Sequence, residues 1–423
     1  MNYLGIDIGT SGVRACVIDA EGTVLALQET AMAAPKALDG GISQAPEIWW
    51  QTLQQVLDAL FKLTDPADIA ALAVDGTSGT LLLTDDQGQP LAPALMYNDA
   101  SSVTQAALIE SKAPSDSAAH GASSGLAKLL ALSARYPQAR HALHQADWIA
   151  ARFSGRFDIS DANNALKTGY DAVHQRWPDW LQQLPVKREL LPRVVAPGSV
   201  IGPVSPDAAQ RFGFNRDTRV VAGTTDSIAA FIATGADRPG MAVTSLGSTL
   251  AIKIISDQPV YAAEYGIYSH RLGDHWLAGG ASNSGGAVLK QFFDNQQLNT
   301  LSRQIKPDQS SGLDYYPLPR PGERFPINDA QLQPRLTPRP EDDVVFLQGL
   351  LEGIGHIEKQ AYDKLHQLGA PRPVSVATAG GGANNAAWLT MRRHMLGVPV
   401  FKTAHADACY GSALLACKAG SSV

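Results

Sequence analysis

One stretch limits this chain more than any other: Leu4-Gly5-Ile6-Asp7-Ile8-Gly9-Thr10-Ser11-Gly12-Val13-Arg14. An apolar run ends in a carboxylate, a glycine-rich turn follows, and a second apolar run extends from Val13 to Ile18. Two such runs about a short turn predict a β-hairpin. Gly9 and Gly12 lack a Cβ, so the backbone can bend sharply and let its N–H groups converge on an anion. Thr10 and Ser11 add hydroxyl donors. Asp7, at the end of the first strand, faces the same opening and can hold Mg²⁺ through water. Taken alone, the stretch fits an ordinary hairpin with a Gly/Ser/Thr turn equally well, and the rest of the chain has to decide.

A chain of 423 residues suggests two or three domains with ample core. Its 45% hydrophobic and 17% charged residues are those of a globular protein. A net charge of -6 gives no electrostatic case for nucleic acid or an anionic membrane surface. The three cysteines, Cys16, Cys409 and Cys417, are odd in number and lack C-x-x-C spacing, which predicts reduced structural thiols. The chain starts directly on a strand with no basic-then-apolar leader, and no run reaches the roughly 18 apolar residues of a membrane span. A cytoplasmic location is expected.

The hairpin leads through Asp19-Ala20-Glu21-Gly22 into a third strand, Thr23 to Thr30. Pro46 starts a helix whose Ile48, Trp49, Leu53, Val56, Leu57, Leu60 and Phe61 share one face. Ile69 to Val74 reads as a buried strand ending in Asp75-Gly76-Thr77-Ser78-Gly79-Thr80. Residues 120–155 read as mostly helical, broken at Tyr136-Pro137, and a short strand is expected over Arg219 to Ala222. The second half repeats this plan. Met241 to Leu246, Gly247-Ser248-Thr249 and Leu250 to Ile255 form strand, turn and strand. A long amphipathic helix, Val344 to Leu368, precedes a strand, Pro373 to Ala379, and the loop Gly380-Gly381-Gly382-Ala383-Asn384-Asn385. The same order occurring twice predicts duplication of one α/β unit, with two similar domains facing each other. The prolines between Tyr316 and Pro340 forbid a regular helix there.

Three small-residue turns at strand ends, Gly9 to Gly12, Gly247 to Thr249 and Gly380 to Asn385, compete for one role. A nucleoside triphosphate would use all three: two hairpins on the phosphates, and the triple glycine against the adenosine with Asn384 or Asn385 as amide contacts. The chain contains no G-x-x-x-x-G-K-[ST] and no strand-then-helix G-x-G-x-x-G, so it is neither a P-loop nor a dinucleotide-binding protein. Asp226, in Gly223-Thr224-Thr225-Asp226-Ser227, is a helix N-cap, a general base for phosphoryl transfer, or both. Asp75 and Asp99 fit structural Asx turns better than catalysis. His141 and His144 are expected on a helical segment, and no histidine cluster has metal-ligand spacing.

These motifs, in this order, resemble the FGGY carbohydrate kinases, within the wider group that includes actin and hexokinase. Asp7 to Arg14 resembles that family's first phosphate motif, Gly223 to Asp226 the motif of its catalytic aspartate, and Ser245 to Thr249 its second phosphate motif. Gly322-Glu323-Arg324-Phe325-Pro326 is similar to its Gly-Glu-Arg-x-Pro loop, Gly380 to Asn385 to its adenosine motif, and Asp407 to Ala416 to its closing helix. The resemblance implies an α/β fold of two duplicated ribonuclease-H-like domains with ATP and sugar in the cleft. Residues 1–226 would be the sugar- and phosphate-binding domain and 227–423 the adenosine-binding one, with the last helix able to pack back on the first.

By the same resemblance, Asp226 deprotonates the acceptor hydroxyl, and Asp7 with Mg²⁺, Thr10 and Ser11 organises the phosphates. Gly247, Ser248 and Thr249 contact phosphate, and Gly381, Gly382 and Asn385 bind adenosine. Xylulokinases typically carry Gly-Gln-Met-His-Gly where this chain has Gly76-Thr77-Ser78-Gly79-Thr80. The Asp-Gly-Thr-Ser-Gly-Thr motif and Asn164 to Asp171 resemble D-ribulose kinases instead. D-ribulose is therefore the expected acceptor, D-xylulose or another polyol the alternative, with Asp7, Ser78 and Asn98 as sugar contacts beside Asp226. The expected partners are ATP and the sugar, without nucleic acid or membrane, and a homodimer is allowed for. Readings of another class are a nucleotide-dependent switch and a sugar-binding regulator.

Overall fold

The computed structural model describes residues 1–38 and 40–420. It divides into two compact units, Met1–Ala233 together with Asp407–Val423, and Thr234–Ala406. The first unit therefore includes the helix that starts at Asp226 and the last helix of the chain.

In the first unit, β1 (Asn2–Ile8), β2 (Gly12–Ile18), β3 (Val24–Ala31), β4 (Ile69–Gly76), β5 (Val200–Pro203) and β6 (Arg219–Thr225) form one sheet. The order is β5-β6-β4-β1-β2-β3. The first three strands make an antiparallel meander, while β4 runs parallel to β1 and β6 parallel to β4. β1 and β4 are buried over nearly their whole lengths, as near-continuous apolar runs require when both faces of a sheet are covered.

The helices that shape this unit are α1 (Pro46–Leu60), α2 (Gly125–Arg135), α3 (Gln145–Ser154) and α4 (Asp226–Ala233). α1 starts on Pro46, whose missing N–H costs nothing in the first turn. Its Trp49, Leu53, Val56 and Leu57 join Trp148 and Phe153 of α3 against Leu4, Ile6 and Ile8 of β1. On the opposite side, α4 and the C-terminal helix Ala408–Gly420 pack together, the latter against β1. Gly5 makes that approach possible: a Cβ there would lie 1.9 Å from the Cys409 carbonyl oxygen. A smaller five-stranded sheet, which includes Leu81–Thr84 and His141–His144, carries α2 and a core of its own.

In the second unit, β7 (Met241–Leu246), β8 (Leu250–Ser256), β9 (His270–Leu272), β10 (His275–Ser282), β11 (Ser375–Ala379) and β12 (Val400–Lys402) form a sheet in the order β9-β10-β8-β7-β11-β12. Here β10, β8 and β7 pair antiparallel, and β11 and β12 follow β7 in parallel. The succession β3-β2-β1-β4-β6 of the first unit is thus repeated as β10-β8-β7-β11-β12, and the expected duplication is present strand for strand. Helix α5 (Asp343–Gln367) and helix α6 (Ala386–Leu396) complete this unit. A buried ion pair joins them: Arg392 donates to Glu358 at 2.6 Å through both Nε and Nη2, and Glu358 also accepts from the Thr244 hydroxyl. In the proline-rich segment, Tyr316 bridges to Arg335 and Glu323 to Asp329, with no helix.

One expectation is corrected. Helix α2 ends before Tyr136-Pro137, where the break is expected, but His141–His144, expected on a helical segment, is a strand leading into α3. That strand pairs antiparallel with Leu81–Thr84, a tertiary partner that local periodicity does not reveal.

Candidate active site

The chemistry of the first unit gathers at the C-terminal ends of its three parallel strands, where open α/β sheets place their ligands. β1 carries Asp7, β4 ends in Asp75-Gly76, and β6 runs straight into Asp226. Asp7 pairs in register with Asp75, and Asp75 with Thr224. Asp75 and Asp226 thus stand on strands adjoining one another, and Asp7 on the next.

Asp7 and Asp75 form a buried carboxyl pair. Burial pushes Asp7 up to about 6, against the lowering effect of a hydrogen bond from Asp75. Asp75 lies well above the usual carboxylate range because it is fully buried and faces the Asp7 charge. Its Oδ2 accepts from the Ser412 hydroxyl at 2.6 Å, while its Oδ1 finds no donor among the described residues. Two neighbouring buried carboxyls favour holding one shared proton between them. Arg14, across the hairpin, approaches Asp7 only to 3.8 Å and is engaged with Glu29 at 2.9 Å. A hard divalent cation could replace the shared proton, so the donor set fits Mg²⁺. Among the described residues no group of three or more ligand-type side chains collects.

The Gly9–Gly12 turn closes through Gly9 N donating to Gly12 O at 3.0 Å, leaving Ser11 exposed and Thr10 half-buried. Asp226 opens α4, and its Oδ1 accepts from the Ser227 amide at 2.6 Å. It is half-buried, so its carboxylate is accessible without being freely solvated.

The Asp75–Thr80 loop is rigidly held. The Thr77 amide and hydroxyl both donate to Gln145 Oε1, at 3.0 and 2.7 Å, and the Thr77 and Thr80 hydroxyls meet at 2.6 Å. Ser78 is left half-buried at the tip, beside Gly79 at φ 87°. Asn98 is exposed, whereas Asp99 is buried and structural: it accepts from the Ile42 amide at 2.6 Å and from Ser101.

Sequence reasoning missed four polar groups near this loop. By its sequence Asp75 fits an Asx turn, but two parallel strands each ending in Asp before a Gly/Thr/Ser turn pair it with Asp7. Lys128 is fully buried on α2 and donates to the carbonyls of Gly79 (2.7 Å), Ser123 (2.9 Å) and Tyr97 (3.4 Å). Burial lowers its pKa to about 7. His144 bridges Thr80 O through Nδ1 (3.2 Å) and the Thr168 hydroxyl through Nε2 (3.0 Å). Burial holds it neutral, at about 4, so Nδ1–H donates and Nε2 accepts. Lys167, the fourth, is half-buried, and burial lowers its pKa against the opposing field of Asp226.

In the second unit, Gly247, Ser248 and Thr249 form an exposed hairpin tip. It is anchored by the Gly286 and Ala287 amides donating to the Gly247 and Ser248 carbonyls. Gly380 adopts φ 81°, and a 3₁₀ turn, Gly381–Asn384, follows. Gly381 faces open space, but a Cβ on Gly382 would lie 2.7 Å from the Leu246 side chain. Asn385 caps α6 by accepting from the Trp388 amide at 3.0 Å and donates to Ser302 at 2.9 Å. Among the described residues no helix is long and apolar enough to cross a membrane.

Residues 2–233 match the FGGY family of carbohydrate kinases, N-terminal domain, and residues 242–420 match its C-terminal domain. The chain is 27% identical over 409 residues to a xylulose kinase of Escherichia coli (strain K12), covering 92% of this chain and 84% of that one. It is 28% identical over 431 residues to a xylulose kinase of Streptomyces coelicolor, covering 94% and 83%. Among solved structures, a xyloylose kinase from Brucella ovis superposes with a TM-score of 0.90 at 22% identity, over 100% of this chain and 91% of that one. Plasmodium falciparum glycerol kinase with ADP superposes with a TM-score of 0.86 at 15% identity, over 99% and 89%. The chain belongs to the FGGY family of carbohydrate kinases and is a carbohydrate kinase.

Proposed function

We propose that this FGGY carbohydrate kinase transfers the γ-phosphate of ATP to a hydroxyl of a ketopentose, D-ribulose in the first place. The observation that carries the reading is the convergence of Asp7, Asp75 and Asp226 on the ends of three adjacent parallel strands. Of these, Asp226 is half-buried, accessible, and oriented by the first turn of α4. In-line phosphoryl transfer needs an acceptor oxygen held in place and a base within hydrogen-bond reach to take its proton. Asp226 takes that proton. Asp7 would hold Mg²⁺ through water, with Asp75 behind it, and the ion supplies charge neutralisation on the phosphates. Thr10 and Ser11 donate to phosphate from one hairpin tip, and Gly247, Ser248 and Thr249 from the other. Gly381, Gly382 and Asn385 line the adenosine site, where the open space over Gly381 lets backbone approach the nucleotide.

Ser78 and Asn98 orient the sugar, with Asp7 beside them. The turn Gly76-Thr77-Ser78-Gly79-Thr80 presents a hydroxyl where xylulokinases typically present histidine, which favours D-ribulose. A second reading, D-xylulose, is favoured by the curated relatives named xylulose kinase. ADP release from ATP and Mg²⁺, measured over D-ribulose, D-xylulose, L-ribulose, L-xylulose and glycerol, separates the two. Fastest turnover on D-ribulose is expected, and fastest turnover on D-xylulose would replace the first reading by the second. Sugar binding without turnover would point to a regulator.

A further inference from the structure

Lys167 sits in a 3₁₀ turn whose backbone is pinned on every side. Asp161 Oδ1 accepts from the amides of Asn163 and Asn164 at 2.8 and 3.1 Å. Asn163 Nδ2 donates to the hydroxyl of Thr224, two residues before Asp226, at 2.9 Å. The Thr168 hydroxyl is bonded to buried His144, and Gly169 ends the turn at φ 95°. The Lys167 stem lies against the Ser78–Gly79 turn: a Cβ on Gly79 would be 3.5 Å from Lys167 Cδ. Its head feels the charge of Asp226 and repels that of Lys128, yet makes no hydrogen bond or ion pair to the protein among the described residues.

The contrast with Lys128 is informative. Both lysines approach Gly79, and their charges repel. Lys128 donates to three backbone carbonyls and is thereby a strut of the pocket wall. Lys167 has three donors and no protein acceptor. A half-buried ammonium left without acceptors is costly, and a ligand oxygen that accepts from it offsets the cost. A surface lysine would swing its head into water on a flexible stem, whereas this one is held on a pinned turn.

We propose that Lys167 is a further sugar-binding residue, its ammonium donating to an oxygen of the acceptor sugar beside Asp226 and so helping to set which sugars are accepted. This rests on the assignment of Asp226 and Ser78 to the sugar site. A compact cation with three donors suits a carbonyl or hydroxyl oxygen, and a polyol with fewer oxygens forfeits that contact.

The test compares wild type with Lys167→Met and Lys167→Arg on whichever member of the sugar panel wild type phosphorylates fastest. Lys167→Met is expected to raise the sugar KM at least about tenfold and to weaken calorimetric sugar binding in parallel, with the ATP KM within twofold of wild type. Lys167→Arg should recover part of the loss. A merely structural lysine would lower the unfolding temperature without this split between substrates. A sugar KM and sugar affinity within twofold of wild type in a folded Lys167→Met variant would overturn the proposal while leaving the kinase reading intact. Should that variant not fold, Lys167→Gln carries the same comparison. Absence of sugar-dependent ADP release from wild type on every sugar would overturn both.

Discussion

Asp7 and Asp75 stand opposite one another in register on neighbouring parallel strands, and burial raises both carboxyls above their usual range. Like charges on two buried carboxyls cannot both be tolerated without a counter-ion. The pair is thus a cost to the fold that a bound cation would offset.

That cost has a definite pH dependence. The folded-state pKa of Asp7, about 6, lies above the ordinary 3.8, so the folded state holds its proton more tightly than the unfolded state. Stability contributed by the protonated form is present below pH 4 and is lost as pH rises to about 6. Asp7→Asn should therefore raise the unfolding free energy at pH 7 by on the order of 1–3 kcal/mol and leave it unchanged at pH 4, while abolishing turnover at low Mg²⁺. Urea unfolding at the two pH values checks this. A variant less stable than wild type at pH 7 would make the Asp7 carboxylate a stabilising group.

His144 works in the opposite sense. Its folded pKa of about 4 lies below the ordinary 6.5, so on acidification the unfolded chain takes up a proton that the native chain refuses. Its contribution is fully present above pH 6.5 and is lost as pH falls toward 4, by about 3 kcal/mol at most. The stability gap between wild type and His144→Gln should accordingly narrow between pH 7 and pH 4.5 in thermal unfolding. A gap independent of pH would mean that His144 is not held neutral.

In the second unit, Arg392 and Glu358 are fully enclosed and bonded at 2.6 Å, with the Thr244 and Thr378 hydroxyls completing the network. Arg392→Met leaves an unpaired buried carboxylate and should cost about 3–5 kcal/mol. Adding Glu358→Met removes that charge and should restore most of the loss. Calorimetric unfolding of the single and double variants decides, and an undiminished loss in the double variant would show that the guanidinium acts through packing rather than charge.

What could be read from the residues alone follows a physical line. The hairpin Leu4 to Arg14, the helix from Pro46 and the repeated strand-turn-strand order are local patterns, and each appears where periodicity and turn chemistry place it. The triple-glycine loop and Asp226 are at strand ends for the same reason. His141–His144 escaped because its partner, Leu81–Thr84, lies far away in sequence. Lys128 escaped because its three acceptors are backbone carbonyls, which carry no residue signature. Lys167 could be quoted within a motif, but that its head lacks a protein acceptor follows only from where Asp226, Gly79 and Lys128 sit.

The most direct measurement is ADP release by wild type and Asp226→Ala, with and without D-ribulose, at saturating ATP and Mg²⁺. Loss of the base should lower sugar-dependent turnover by at least about a hundredfold while sugar and ATP still bind and the unfolding temperature stays close to that of wild type. Turnover by Asp226→Ala within a few-fold of wild type would remove Asp226 from the chemistry and contradict the mechanism proposed for this kinase.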